Sequence, residues 1–392
     1  MTLFLLLIVP LSAQDTESDP MPQYFYTHQQ VTGNRFIAGQ GTFPNVEVDD
    51  LDLPYVPVWV RGYLTPEGDI SWRSTDDVAY LQDVSASDDI IRLVGQLADV
   101  SPFSNVVPVG AYLVYVARNG DLVLWRDGEV DRQSLAIQPD ARIVVNENGQ
   151  LAVYANATNQ RYVHGIMGDD LEGSSLLVLE ARDDELGIVT QIDLEGDAVY
   201  EGLFPMWADV DRDTTPDLIT TVSDSQSGSR IRVYRMTYDG IRVADGQAIG
   251  RANRWQHQLA FAPFGINGEM ELVEVLTPHI GGVVRFYRFN GNEMEIVAQV
   301  GGYTSHVIHS RNLDMAVAGD FNGDGRPEIV LPSQDRQRIV GIQHNENGAE
   351  VVWELPLNGT LSSNLAAVQL QNGKLALAAG TEAGHLRLWM SQ

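Results

Sequence analysis

Short apolar runs rich in Val, Ile, Leu and Tyr alternate along this chain with clusters of Gly, Asn and Asp. Segments with 3.6-residue periodicity are scarce, so the pattern predicts strands and turns rather than helices. One unit recurs: a strand, a polar loop, a second strand, a Gly-bearing turn, and a third strand with an aromatic near its end. It runs over 206–208, 209–217, 218–222, Ser227-Gly228 and 230–234. It returns over 259–262, 265–268, 270–276, Gly281-Gly282 and 283–287, then over 315–318, 320–328, 329–332 and 338–342. The last copy spans 365–370, Asn372-Gly373, 375–379, Gly384 and 385–389, another spans 109–125, and weaker ones lie near 56–72 and 143–179. The third-strand aromatics Tyr234 and Tyr287 stand 53 residues apart, and the other copies recur at about that interval.

A period near 50 with about four strands per copy is what a propeller blade requires. One blade cannot bury both of its faces, whereas a closed ring of blades buries them against one another and removes most open edges. The expected fold is therefore an all-β β-propeller of about seven four-stranded blades, with six or eight as neighbouring counts. A strand near 35–38 is expected to complete the last blade and latch the ring. Two β-sandwiches are the alternative, but they leave the regular return of the aromatic-ended strand unexplained.

Charge narrows the function. The 392 residues carry 25 Lys and Arg against 53 Asp and Glu, a net charge of −28, which disfavours nucleic acid and anionic lipid and favours cations or basic partners. There is no cysteine, which removes disulfides, thiolate metal sites, a lipoprotein anchor and cysteine nucleophiles. The first 13 residues carry an apolar run of about ten that ends at Leu11-Ser12-Ala13, short for a membrane span and suited to a signal peptide. The Lys or Arg that usually precedes such a run is missing, so an uncleaved anchor or a misassigned start remain alternatives. This division expects a signal over 1–13, a flexible leader over 14–34 and one propeller domain over 35–392, located outside the cell or in the periplasm. No later stretch has the length of a membrane helix, and the expectation is a monomer without stable membrane insertion.

The strongest chemical pattern is Asp320-Phe-Asn322-Gly-Asp324-Gly325-Arg326-Pro-Glu328. Side-chain oxygens stand at its first, third, fifth and ninth positions, with the Arg326 carbonyl available at the seventh, a set suited to hard Ca²⁺. Gly325 permits the positive φ that turns the chain around an ion. The second loop places Asp209, Asp211, Asp213 and Asp217 at the same positions with Thr215 at the seventh, but Thr214 replaces the glycine. A β-branched residue resists positive φ, so weaker or distorted binding is expected there. Neither loop is an EF-hand, because the twelfth position falls on Leu331 or Thr220 and a strand follows. Solvated Asp/Asn-Gly turns are the plain alternative for both.

These residues resemble the FG-GAP/VCBS repeat of integrin-α-type β-propellers. The resemblance implies calcium ligation by Asp320, Asn322, Asp324 and Glu328, and by Asp209, Asp211, Asp213 and Asp217, with the ion bracing a blade loop. The turns at Asn146-Glu-Asn148-Gly149, Gly265-Ile-Asn267-Gly268 and Gln371-Asn372-Gly373 lack the carboxylates, so calcium is not expected there.

Histidines supply the remaining candidates. His279 sits in a turn before a third strand, and His306, His309, Trp255 and His257 are placed to share its face as a carbohydrate- or metal-binding patch. Hydrogen-bonded structural histidines are the alternative, since the spacing matches no compact metal motif. Trp59, Trp72, Trp125, Trp353 and Trp389 have strand settings that suit blade packing more than sugar stacking. No G-x-S-x-G, Walker loop or dinucleotide fingerprint is present. The function expected is a non-enzymatic module binding a protein or glycan, with calcium as a brace. The alternative is a polysaccharide lyase or hydrolase using histidines and carboxylates at the channel.

Overall fold

The computed structural model describes residues 31–65, 67–76, 97, 99–182 and 185–392; the signal expected over 1–13 and most of the leader expected over 14–34 lie outside the described residues. Two strands come first in the chain, β1 (Phe36–Gln40) and β2 (Val46–Asp52), and both join blades formed much later. The first blade contributes β3 (Trp59–Leu64) and β4 (Ile70–Thr75) among the described residues. The second holds β5 (Val106–Val109), β6 (Tyr112–Val116), β7 (Leu122–Arg126) and β8 (Glu129–Gln133). The third holds β9 (Val144–Val145), β10 (Leu151–Thr158), β11 (Glu172–Arg182) and β12 (Glu185–Asp193). A two-residue strand, β13 (Val199–Tyr200), then ties β11 to the second strand of the fourth blade.

That fourth blade is β14 (Met206–Ala208), β15 (Asp217–Asp224), β16 (Gly228–Thr237) and β17 (Gly240–Asp245). The fifth is β18 (Gln256–Ala262), β19 (Glu271–Leu276), β20 (Val283–Asn290) and β21 (Glu293–Gly301). The sixth is β22 (Val317–Asp320), β23 (Glu328–Pro332), β24 (Arg338–Asn345) and β25 (Gly348–Pro356). The seventh is β26 (Leu361–Gln369), β27 (Leu375–Thr381) and β28 (His385–Ser391), completed by β2. From the second to the seventh, neighbouring blades touch in chain order, and β26 and β27 of the last pack on β3 of the first. The chain is an all-β propeller.

Burial explains the strand sequences. Second strands such as β23 (EIVLP) and β27 (LALAAGT) are buried along their whole length, so they read as continuous apolar runs. Fourth strands such as β25 are largely exposed and mix charge with apolar residues. The third-strand aromatics Tyr234, Tyr287 and Trp389 are buried within the hydrophobic clusters that hold the blades.

The latch differs from the expectation for 35–38. β2 is the strand that completes the last blade, antiparallel to β28 from Val46↔Ser391 to Asp52↔His385. β1 instead runs parallel to β22 of the sixth blade, pairing Phe36 with Ala318 and Gln40 with Asp320. The segment over 31–41 also bonds first strands or adjoining loops of other blades, through Val31 to Val145, Thr32 to Trp207, Arg35 to Leu259 and Gln40 to Gly373. It therefore bonds to the third, fourth, fifth, sixth and seventh blades. Arg35, almost fully buried, donates to the carbonyls of Gln258, Leu259 and Leu313 and lies 3.5 Å from Asp314. Arg142 reaches the other oxygen of Asp314 at 2.7 Å, so one buried carboxylate faces two guanidiniums.

Candidate metal centres and the axial face

The loop between β14 and β15 and the loop between β22 and β23 occupy the same place in the fourth and sixth blades. Both take the same backbone turn. At the fourth position φ is +62° in Arg212 and +77° in Gly323, and at the sixth it is +70° in Thr214 and +88° in Gly325. Thr214 thus adopts the conformation it was expected to resist. A non-glycine residue there costs roughly 1–2 kcal/mol.

Carboxylates converge in both loops. Oxygens of Asp320, Asp324 and Glu328 come within 4.8 Å of one another, as do those of Asp209, Asp211 and Asp217. These are the groups of at least three potential ligands found among the described residues. Asp213 stays outside its group, with Oδ1 accepting the Thr215 amide at 2.7 Å. Asn322 Oδ1 likewise accepts the Asp324 amide at 2.8 Å. The first aspartate of each loop caps the turn: Asp320 accepts from Gly323 and Gly325, and Asp209 from Asp213 and Thr214.

The ninth position is the most buried. Glu328 is fully buried, with its carboxyl pushed up to about 8 by burial and, to a lesser degree, by Asp324 and Asp320. Asp217, also buried, is pushed up to about 7 by burial and by Asp211 and Asp213, against amide bonds from Met236 and Val210. What lies across the strand differs. Gln343 stands opposite Glu328, and its Nε2 lies 2.9 Å from Glu328, 3.0 Å from Asp324 and 3.2 Å from the Arg326 carbonyl. Three of the predicted ligands therefore surround one point. Arg235 stands opposite Asp217 in the continued register, 3.5 Å from Asp211 Oδ2.

The fifth blade has the same ninth-position acid, Glu271, paired with Arg288 across the strand at 2.5 Å and with His344 of the next blade at 2.9 Å. Its loop has no carboxylate at the first, third or fifth position, and Glu269 at the seventh holds the turn by bonding Asn267.

The opposite face carries the histidines. Trp255, His257, His279 and His306 come together, with the Trp255 ring stacked 4.6 Å from His257 and edge-on to His306 at 5.2 Å, centre to centre. Trp255, His257 and His306 are buried, so the solvent-accessible members of the predicted patch are His279 and His309. His306 Nε2 lies 2.6 Å from the Ser310 carbonyl and must donate, which leaves Nδ1 to accept from His279 Nε2 at 2.7 Å. Burial, and then mutual repulsion for His306, push His306 down to about 3 and His279 to about 4, so both are neutral at pH 7. Arg35 donates to His257 Nε2, which directs Nδ1–H toward Ser305. These are hydrogen-bonded packing histidines, and no metal-ligand trio forms among them.

Two residues unmarked by the sequence reading join this face. His164 Nδ1 lies 2.6 Å from Glu201, whose carbonyl accepts the Trp255 indole N–H and whose carboxylate also accepts from Ser223. No motif surrounds either one, so only the fold could bring them together. The segment over 306–313 crosses from the sixth blade to the third, where the His309 amide bonds Ile166 and Arg311 pairs with Asp140 and Asp169.

Among the described residues, the sheets and loops define a β-propeller with seven blades, two of them bearing carboxylate-rich loops. No family model matches the chain, and no curated protein matches it. Among solved structures, it is similar to the crystal structure of BamB from Moraxella catarrhalis, at 13% identity over 71% of this chain and 82% of that one, with a TM-score of 0.37. That likeness is too distant to carry a functional argument.

Proposed function

We propose that this protein is an exported, non-enzymatic β-propeller that displays a binding face to a protein or glycan, with Ca²⁺ bracing its blade loops. The observation that carries the calcium assignment is the approach of Asp320, Asp324 and Glu328 oxygens to within 4.8 Å of one another, with the Arg326 carbonyl turned toward the same Gln343 amide as Asp324 and Glu328. All donors are oxygens, and three carboxylates forced together favour a hard cation over thiophilic metals. Asn322 is the remaining ligand implied by the FG-GAP/VCBS resemblance. In the loop over 209–217, Asp209, Asp211 and Asp217 would hold the ion, with Asp213 and Thr215 as the resemblance places them. Export rests on the apolar N-terminal run, which places the mature chain outside the cell or in the periplasm.

The neutral, hydrogen-bonded His279 and His306 support the binding reading over the polysaccharide lyase or hydrolase. The test is metal analysis and melting of protein lacking residues 1–13, with Ca²⁺, with Mg²⁺ and after chelation. Ligands of the folded state alone raise the melting temperature by mass action. Bound calcium and a rise specific to Ca²⁺ are expected. No bound metal together with no shift would sink the calcium claim.

A further inference from the structure

The loop over 320–328 is joined to the latch as well as to its own blade. β1 ends at Gln40, which pairs with Asp320, and a short strap over 40–43 then lies along the loop before β2 begins at Val46. The Gly41 amide donates to the Asp320 carbonyl at 2.7 Å, and the Phe43 amide to the Phe321 carbonyl at 2.9 Å. The two backbones touch. A Cβ on Gly41 would run into the Phe321 carbonyl, and one on Gly323 would stand 2.6 Å from the Gly41 oxygen. Side chains add two links. Phe321, the second residue of the acidic loop, is fully buried and receives the Phe43 ring edge-on at 5.3 Å, centre to centre. Gln40 is exposed, and its Nε2 donates to Asp320 Oδ2 at 3.2 Å. Between them, the Thr42 amide bonds Ser391 Oγ at the end of β28, so the strap ties this loop to the strand that β2 completes.

The 209–217 loop stands apart from the strap. The backbone bond from the N-terminal segment to the fourth blade goes to Trp207, two residues before Asp209. Only the sixth-blade loop therefore shares its first residues with the latch. The carbonyls of Asp320 and Phe321, the Phe321 ring and the Asp320 carboxylate all carry the strap, so these two residues cannot shift without moving it. Asp320, Asp324 and Glu328 oppose one another when no cation stands between them. An ion that holds those carboxylates together also holds the seat of the strap. Linkage makes the effect mutual: a seated strap favours the ion as much as the ion favours the seated strap.

We infer that Ca²⁺ at the 320–328 loop is coupled to closure of the ring, with Gln40 as the positioning residue that orients Asp320 and the strap over 40–43 as the link to the latch. The inference rests on the calcium reading of that loop and adds a consequence for the N-terminal strands. The experiment titrates wild type, Glu328→Gln and Gln40→Met with Ca²⁺ by calorimetry, and follows amide exchange at Gly41 and Phe43 with Ca²⁺ and after chelation. Ca²⁺ should slow exchange at both amides by about tenfold or more. Gln40→Met removes the donor from an exposed position, and should weaken Ca²⁺ binding at this loop roughly tenfold while the metal-free melting temperature stays close to wild type. A plain packing role would instead lower that melting temperature and leave the affinity alone. Binding that Glu328→Gln abolishes but Gln40→Met leaves unchanged overturns the coupling while the calcium site stands. Exchange at Gly41 and Phe43 indifferent to bound Ca²⁺ does the same. No calcium bound by wild type removes the calcium reading, and the coupling with it.

Discussion

The two acidic loops share one backbone and differ in what stands across the strand from their most buried acid. In the sixth blade that residue is Gln343, a neutral amide, beside glycines at the two positive-φ positions. In the fourth it is Arg235, a guanidinium 3.5 Å from Asp211, beside Arg212 and Thr214 at those positions. In the fifth blade Arg288 and His344 hold Glu271 outright, and the loop has no carboxylate at its first, third or fifth position. In that order the blades go from an acid group with no ion-paired cationic side chain among the described residues, through one with Arg235 beside Asp211, to a single acid, Glu271, paired with Arg288 and His344. Carboxylate count alone favours the 209–217 loop, whereas the guanidinium of Arg235 beside Asp211 favours the 320–328 loop.

The largest expected effect lies in the sixth blade. Saturating Ca²⁺ at about a hundred times its Kd should raise the melting temperature by roughly 3–8 °C, and Glu328→Gln should abolish most of that rise. If Asp217→Asn abolished it instead, the order of the two loops would be reversed. Acidity gives the next effect. Without metal, Glu328 binds a proton up to about pH 8 when folded and Asp217 up to about 7, while the unfolded carboxyls ionise near their ordinary values. The metal-free protein should therefore lose stability as pH rises from about 4.5 to 8, by a few kcal/mol, and level off above. Calcium should cancel that loss over the same range; melting curves at stepped pH with and without the ion decide it.

A smaller change should come from Arg235→Gln, which copies Gln343 into the fourth blade. Calorimetry should then show calcium binding at the 209–217 loop tightened about tenfold, and no change would remove the guanidinium from the account. Smallest, Thr214→Gly should stabilise the metal-free protein by about 1 kcal/mol by relieving positive φ, measured by denaturant unfolding. A loss of stability would mean that the Thr214 side chain contributes more than the strain costs.

Much of this was legible because blade packing writes itself into sequence. The continuous apolar second strands and the buried aromatics of third strands reveal the repeat, and the Asp-x-Asn-x-Asp-Gly spacing marks the loop. The latch was harder to read. β2, VEVDDLD, is largely exposed and acidic, so nothing local distinguishes it from a surface loop until β28 is found beside it. In the copy expected over 109–125, the first stretch is the end of β5 and the whole of β6, split at Gly110, whose φ is +59°. Gln343 and Arg235 escaped notice because cross-strand register, not spacing, makes them neighbours of the acids. The same holds for His164 and Glu201.

The latch also sets an order of events. Thr42 and Ser391 are 349 residues apart along the chain yet bonded in the finished ring. A polypeptide made from its N-terminus has β1 and β2 early, but β22 and β28 emerge only near the end. Until then the two leading strands have unpaired edges, the kind of exposed surface that invites association with other chains. Such distant pairings also make for slow folding. The acidic sequence of β2 is suited to that wait, because like charges on neighbouring chains keep their open edges apart.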